Sequence, residues 1–337
     1  MDVNNAFLQG ELEDEVYMRP PLGLEDTIGL GKVLKLNKAI YVFDIKDLGE
    51  LKYFLGIEVY RSDEGLFLSQ RKYALDLLSE TSKLGSKAVT TPLEENYKAG
   101  GQGELNTAPF KDVSLYRRLV GKLIYLTITR PDIFFAMNQA SQQMKNPTVH
   151  HWNMVTRILK YIKGSPGQGI WMGRNKNTEL VAYCDDNYAG DRGDRRSTTG
   201  YCTFLGGNLV TWKSKKQNVV LLSSAKSEYR AMRKLTTELM WLKALLKDLG
   251  IESTKPITMH CDNEAAIHIA TNSVFHERTK HIEVDCHKVR EQIKLGVVLP
   301  CHTESKEELA DILTKEGSSQ VCEYIHSKLG PMDLTRP

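Results

Sequence analysis

Val181-Ala182-Tyr183-Cys184-Asp185-Asp186-Asn187-Tyr188-Ala189-Gly190-Asp191 is the stretch whose reading decides this chain. An apolar strand runs out into adjacent carboxylates, and Gly190 allows the backbone to turn. Three readings compete. An Asp-Asp pair at a strand end is ordinarily a solvated turn. Tyr183-Cys184-Asp185-Asp186 also has the Tyr-x-Asp-Asp form of a polymerase metal hairpin. In the third reading Asp185 alone is a metal ligand, at the end of the first strand of a nuclease sheet. The choice depends on which acids the rest of the chain supplies.

Downstream, residues 180–185, 199–205 and 208–213 predict three short strands, the last two joined across Gly206-Gly207. A long helix is expected over 224–249, with Ser224 as its N-cap and Gly250 as its stop. Residues 257–261 predict a fourth strand ending at Asp262, followed by a short helix. A further helix covers about 282–295, and 297–301 gives a fifth strand. Ser305-Lys306-Glu307-Glu308 reads as a capping box opening a helix through Lys315.

Upstream, helices are expected over 115–129, 132–144 and 151–163, the first halted by Arg130-Pro131. Residues 83–113 are polar, with Thr91-Pro92, Gly100, Gly101 and Gly103, and read as a linker. Residues 53–60 and 66–69 flank the turn Ser62-Asp63-Glu64-Gly65 as a β-hairpin. An amphipathic helix carrying Tyr73, Leu77 and Leu78 follows over 70–82.

The chain has 337 residues, 41% hydrophobic and 26% charged, which gives room for a substantial core and two or more domains. Its 45 basic and 42 acidic residues leave a formal charge of +3, so any nucleic-acid surface must be a local patch. Cys184, Cys202, Cys261, Cys286, Cys301 and Cys322 contain no Cys-x-x-Cys pair, and the first residues lack the blocks of a signal peptide. A cytoplasmic or nuclear protein with reduced thiols is expected, not a secreted one. The longest apolar run, 119–128, is broken by Gly121 and Lys122, so no membrane segment is expected.

Four carboxylates fall at the ends or first turns of these elements: Asp185, Glu228, Asp262 and Asp311. Hard divalent cations take oxygen ligands, and acids held on separate rigid elements are what two-metal phosphodiester hydrolysis requires. Singly, each has a plainer reading: Glu228 on an exposed helix face, Asp262 capping the next helix, Asp311 in a solvated one. Their joint order along strand, strand, strand, helix, strand, helix, strand, helix favours a site.

Several long phrases go further. They are Tyr116-Arg117-Arg118-Leu119-Val120-Gly121, Thr129-Arg130-Pro131-Asp132-Ile133, Arg196-Ser197-Thr198-Thr199-Gly200-Tyr201, Leu222-Ser223-Ser224-Ala225, Cys261-Asp262-Asn263, Arg278-Thr279-Lys280-His281-Ile282 and Ala310-Asp311-Ile312-Leu313-Thr314-Lys315. Through them, residues 115–330 closely resemble the C-terminal part of the Pol polyprotein of copia-type LTR retrotransposons. Residues 1–82 resemble pieces of the same polyprotein's reverse transcriptase.

The resemblance implies an α/β (α+β) chain: an RNase H-like mixed five-stranded sheet with flanking helices, preceded by a partial reverse-transcriptase palm and connection helices. The expected divisions are a palm remnant (1–82), a linker (83–113), a helical thumb- or connection-like segment (114–175), the RNase H-like domain (176–330) and a tail (331–337). The implied activity is endonucleolytic cleavage of RNA in RNA/DNA hybrids. Asp185, Glu228, Asp262 and Asp311 would hold two Mg²⁺ ions, or Mn²⁺ in their place. The family usually has Asp where this chain has Asn187 and Glu where it has Lys226. Asp186 stands where a small residue is common, so it is left a turn or supporting role.

Asp2, in Met1-Asp2-Val3-Asn4-Asn5-Ala6-Phe7-Leu8, resembles one polymerase metal ligand. The Tyr-x-Asp-Asp hairpin that should complete its site belongs between Lys38-Ala39-Ile40-Tyr41 and Ile45-Lys46-Asp47-Leu48-Gly49, where the family carries roughly a hundred residues. Here those phrases almost touch, so polymerase activity is expected to be absent. The rival reading is an inactive relic with at most nucleic-acid binding.

Around the acids, Lys213, Lys215, Lys216, Arg195 and Arg196 are candidates to meet the hybrid backbone, against the plainer reading of solvated basic turns. His302, after the fifth strand, is placed to move protons or product. The remaining histidines and cysteines show no zinc spacing.

Overall fold

The computed structural model describes residues 2–3, 11–18, 33–38, 45–46, 49–94, 97, 108–251, 255–272, 283–317 and 331–333. Parts of the expected linker, the phrase at 278–282 and residues 334–337 lie outside these. The chain forms two compact units, Met1–Leu51 and Lys52–Pro337. In the first, Asp2–Val3 (β1) pairs antiparallel with Ile45–Lys46 (β4), and Glu11–Met18 (β2) with Leu34–Lys38 (β3).

The second unit contains two five-stranded sheets. One is built from Tyr53–Phe54 (β5), Ile57–Ser62 (β6), Gly65–Ser69 (β7), Gln168–Gly173 (β8) and Pro331–Asp333 (β14), in the order β14-β8-β7-β6-β5. The hairpin β6–β7 is as expected; β8 and β14 were not. In Gln-Gly-Ile-Trp-Met-Gly, glycines interrupt the alternation by which a strand is recognised. Arg71–Glu80 (α1), Val113–Leu126 (α2), Phe134–Ser141 (α3) and Val149–Gly164 (α4) share one core around Leu77, Tyr116, Leu123, Met137 and Ile158. Arg130 is buried there: Nε and Nη2 fork onto Asp132 at 2.9 and 2.7 Å, and Nη1 donates to Ser165 O at 2.9 Å. The Arg130-Pro131-Asp132 stop is therefore also a buried ion pair.

The other sheet comprises Leu180–Asn187 (β9), Thr198–Leu205 (β10), Asn208–Lys216 (β11), Ile257–Cys261 (β12) and Val298–His302 (β13). Its order is β11-β10-β9-β12-β13, with β9 to β11 antiparallel and β12 parallel to both β9 and β13. This is the RNase H-like mixed five-stranded sheet that was expected. Gly206 and Gly207, at φ 57° and 84°, make the tight β10–β11 turn that needs two left-handed residues.

Ser224–Asp248 (α5) lies along the sheet, burying Tyr229, Met232, Leu235, Leu239, Leu242 and Leu246 at helical spacing. Its N-cap is Ser223, whose side chain accepts from Lys226 N, one residue before the expected Ser224. Glu264–Thr271 (α6) and Glu283–Lys294 (α7) complete this layer.

Where one α-helix was expected through Lys315, two short 3-10 pieces occur, Ser305–Glu307 and Leu309–Leu313. The Ser305 hydroxyl donates to Asp262 at 2.7 Å, and it is the Glu308 carboxylate that caps, accepting from Ala310 N at 3.0 Å. The capping-box residues are thus spent on other bonds. No described helix is long and apolar enough to cross a membrane.

Candidate metal-binding active site

The parallel register pairs His260 with Tyr183, so one step on Cys261 and Asp262 stand beside Cys184 and Asp185 at the same end of the sheet. Glu228 enters from the start of α5, and its carboxylate, the Cys261 thiol and the Asp262 carboxylate offer atoms within 4.8 Å of one another. Asp311 arrives from the opposite face on Leu309–Leu313. Lys315 Nζ lies 2.8 Å from Asp311 Oδ1 and 3.9 Å from Asp185 Oδ2, and the Thr314 hydroxyl donates to Asp185. The structure thus brings together all four expected acids.

That approach needs Gly200, the residue paired with Asp185 across β10. A Cβ there would stand 2.6 Å from Thr314 Cγ2 and 2.8 Å from Leu313 Cβ. Its absence lets the Asp311 segment sit on the sheet.

Crowding acids in so little water disfavours their charged forms. Burial pushes Glu228 up to about 11, with Asp185, Cys261, Asp186 and Asp262 adding to the rise. Burial and Asp185 push Asp311 to about 7, against the pull of Lys315. Asp185 is raised by burial, opposed by Lys315 and the Thr314 hydroxyl. Lys315 is itself half-buried, which works against its charge, yet Asp185, Asp311 and Asp262 hold it charged above its ordinary range.

Glu308 was read only as part of a capping box. It is 1% exposed and, mainly by burial, raised well above the usual carboxylate range, with Asp185 and Asp311 contributing. Lys315 was read as a helix end. Both belong to this acid cluster, and the signal that could have found Lys315 is its i, i+4 spacing from Asp311.

Asp186 is not in a turn: it lies in β9, 5% exposed, accepting from Thr199 Oγ1 at 2.9 Å and from Gln217 Nε2. Burial raises it to about 6. Lys234 reaches the same network through Thr199 Oγ1 at 3.0 Å; burial lowers it to about 8, helped by Arg230, Lys215 and Arg233.

Of the expected basic contacts, Lys213 and Lys215 are exposed on β11. Lys216 is engaged within the chain, 2.5 Å from Asp191 and 2.9 Å from Asp194, and Arg196 Nε lies 3.7 Å from Asp194. Arg195 is exposed at φ 57°. His302 ends β13 beside Cys261, exposed at the rim. Asp2 is in β1 opposite Lys46, and its side chain lies outside the described residues.

Residues 1–44 match the family described as Reverse transcriptase (RNA-dependent DNA polymerase). The chain is 36% identical to the retrovirus-related Pol polyprotein from transposon RE1 of Arabidopsis thaliana, over 98% of its own length and 27% of that protein. It is 30% identical to the corresponding polyprotein from transposon TNT 1-94 of Nicotiana tabacum, over 94% of its length and 29% of that protein. It therefore spans little more than a quarter of these relatives. The RE1 alignment runs over 399 residues against a chain of 337, so the relative carries at least about sixty residues that this chain lacks.

Among solved structures, LC11-RNase H1 in complex with an RNA/DNA hybrid is 16% identical, covering 40% of this chain and 94% of that one with a TM-score of 0.32. The foamy viral protease-reverse transcriptase in complex with double-stranded DNA is 9% identical, covering 75% and 37%, with a TM-score of 0.40. On the sequence relationships, which run through nearly its whole length, the chain belongs to the Pol polyproteins of copia-type retrotransposons.

Proposed function

We propose that this chain hydrolyses the RNA strand of RNA/DNA hybrids in a Mg²⁺-dependent endonucleolytic reaction that leaves 3′-hydroxyl and 5′-phosphate ends. The observation that carries the reading is the convergence of Asp185, Glu228, Asp262 and Asp311 from four separate elements on one end of the sheet. The donor set fits a hard cation. It is rich in carboxylate oxygen, and the buried Glu228 Oε2 has no hydrogen-bond donor of its own. Bound Mg²⁺, or Mn²⁺, would supply an activated water and stabilisation of the leaving oxygen.

The chain's own residues supply the rest. Thr314 fixes the Asp185 carboxylate and Ser305 that of Asp262, so both acids are oriented before any ligand arrives. Lys213 and Lys215, with Arg195 beyond them, offer exposed charge to the phosphates of a hybrid. Lys216 and Arg196 act indirectly, by tying down the 191–196 loop. His302, exposed at the rim, takes or delivers a proton.

Polymerase activity is absent in this reading. Asp2 is the one polymerase acid the resemblance identifies, and only Val42-Phe43-Asp44 stand between Tyr41 and Ile45, where the resemblance calls for the hairpin that would complete its site. A labelled hybrid incubated with the purified chain and Mg²⁺ should be cleaved, while Asp262→Asn should lose at least about a hundredfold in rate. Equal cleavage by both would show that another site is responsible. No cleavage by either would favour an inactive relic that at most binds nucleic acid.

A further inference from the structure

The acid cluster holds one donor that hard-metal hydrolysis does not use. Cys261 closes β12, fully buried, and its Sγ belongs to the set with Glu228 and Asp262 whose ligand atoms are all within 4.8 Å of one another. Glu228 is 5% exposed and its Oε2 accepts no hydrogen bond, so a buried polar atom in the set is unclaimed. Asp262 is half-buried and opens the set to the surface. Behind it, the buried Cys184 thiol donates to His260 O at 3.6 Å, so its proton is committed to the backbone of β12 next to Cys261.

Mg²⁺ takes oxygen and gains nothing from sulfur. One thiolate with two carboxylates is instead donor chemistry for thiophilic divalent ions such as Zn²⁺ and Cd²⁺. Metal–sulfur and metal–oxygen bonds of about 2.3 and 2.1 Å in a tetrahedron separate the donors by roughly 3.5 Å. Side-chain movements of about 1 Å would close the observed set onto one ion.

We propose that Cys261, Glu228 and Asp262 bind one thiophilic divalent cation, with water as the fourth ligand and the Cys261 thiol proton released to solvent. The inference extends the hydrolase reading, since the site borrows two of its four acids. A thiophilic ion seated there would exclude Mg²⁺ and inhibit.

The test is a Cd²⁺ titration of the reduced, metal-free full chain, followed by the ultraviolet thiolate-to-cadmium charge-transfer band. Cys261→Ser and Cys184→Ser run in parallel, with far-UV circular dichroism to confirm folding. The wild type should show a saturable band of one Cd²⁺ per chain. Cys261→Ser should lose that band and bind Cd²⁺ at least roughly tenfold more weakly, while Cys184→Ser should keep it. Folded Cys261→Ser that titrates like the wild type, loss of the band in Cys184→Ser alone, or no band in the wild type would each overturn the proposal.

Hybrid cleavage in Mg²⁺, with and without added Zn²⁺, separates the two readings. A chain that cleaves nothing yet shows the Cys261-dependent band refutes hydrolysis and keeps the metal site. Cleavage that Zn²⁺ leaves unchanged refutes the metal site and keeps hydrolysis.

Discussion

Among the described residues, Lys315 carries the ammonium group within reach of both Asp311 and Asp185, at 2.8 and 3.9 Å. In the metal-free chain it offsets part of the mutual repulsion of these acids, and a divalent cation entering the cluster must compete with it. Lys315→Met removes that competition while keeping most of the side chain's bulk. Mn²⁺ should then bind roughly three- to tenfold more tightly by calorimetry; unchanged or weaker binding would remove Lys315 from this role. The approach of Asp185, Glu228 and Asp262 was legible because they sit near the end of β9, in the first turns of α5 and just after β12, where direction is set by the element. Asp311, in the middle of Leu309–Leu313, was picked out chiefly by the resemblance. Lys315 and Glu308 were not legible, because 3-10 turns at Ser305–Glu307 and Leu309–Leu313 present different faces from the α-helix that the capping box predicts.

At the scale of elements, the contact that assembles the site is β10 against the Leu309–Leu313 turn, and Gly200 decides how close they come. Gly200→Ala forces its Cβ against Thr314 and Leu313, and the overpacking should cost about 1–3 kcal/mol in urea unfolding. Gly121, within α2 and with nothing within 4 Å of an added Cβ, makes the opposite case: Gly121→Ala should stabilise by about 0.5–1 kcal/mol. A neutral Gly200→Ala would show that β10 does not pack closely on the Asp311 segment, and a destabilising Gly121→Ala that the exposed face of α2 is not open. The strands of the site sheet were readable from Thr-, Tyr- and Val-rich runs ending at Gly206-Gly207. β8 was not, because its partners β7 and β14 are distant in sequence and its own glycines carry no pattern. Such a strand is fixed by tertiary pairing, which a local window does not contain.

At the scale of the whole molecule, the buried acids couple folding to pH and to metal. Asp311 titrates near 3.9 in an unfolded chain and about 7 when folded, so between these values the folded state holds the extra proton. Its contribution to stability therefore falls as pH rises from about 4 to about 7. His150, His151 and His260 are lowered by burial and act in the opposite sense as pH climbs toward about 6.5, so the stability of the wild type alone is not diagnostic. The difference between Asp311→Asn and wild type cancels the histidines. In chelator-treated protein, the melting temperature of Asp311→Asn relative to wild type should rise steadily from about pH 4.5 to about pH 7.5. With saturating Mn²⁺ near pH 7.5 the order should reverse, because the ion stabilises the ionised carboxylate that only the wild type retains. A difference independent of pH would mean that Asp311 is solvated rather than enclosed with Asp185, and a difference unaffected by Mn²⁺ would mean that no ion reaches it.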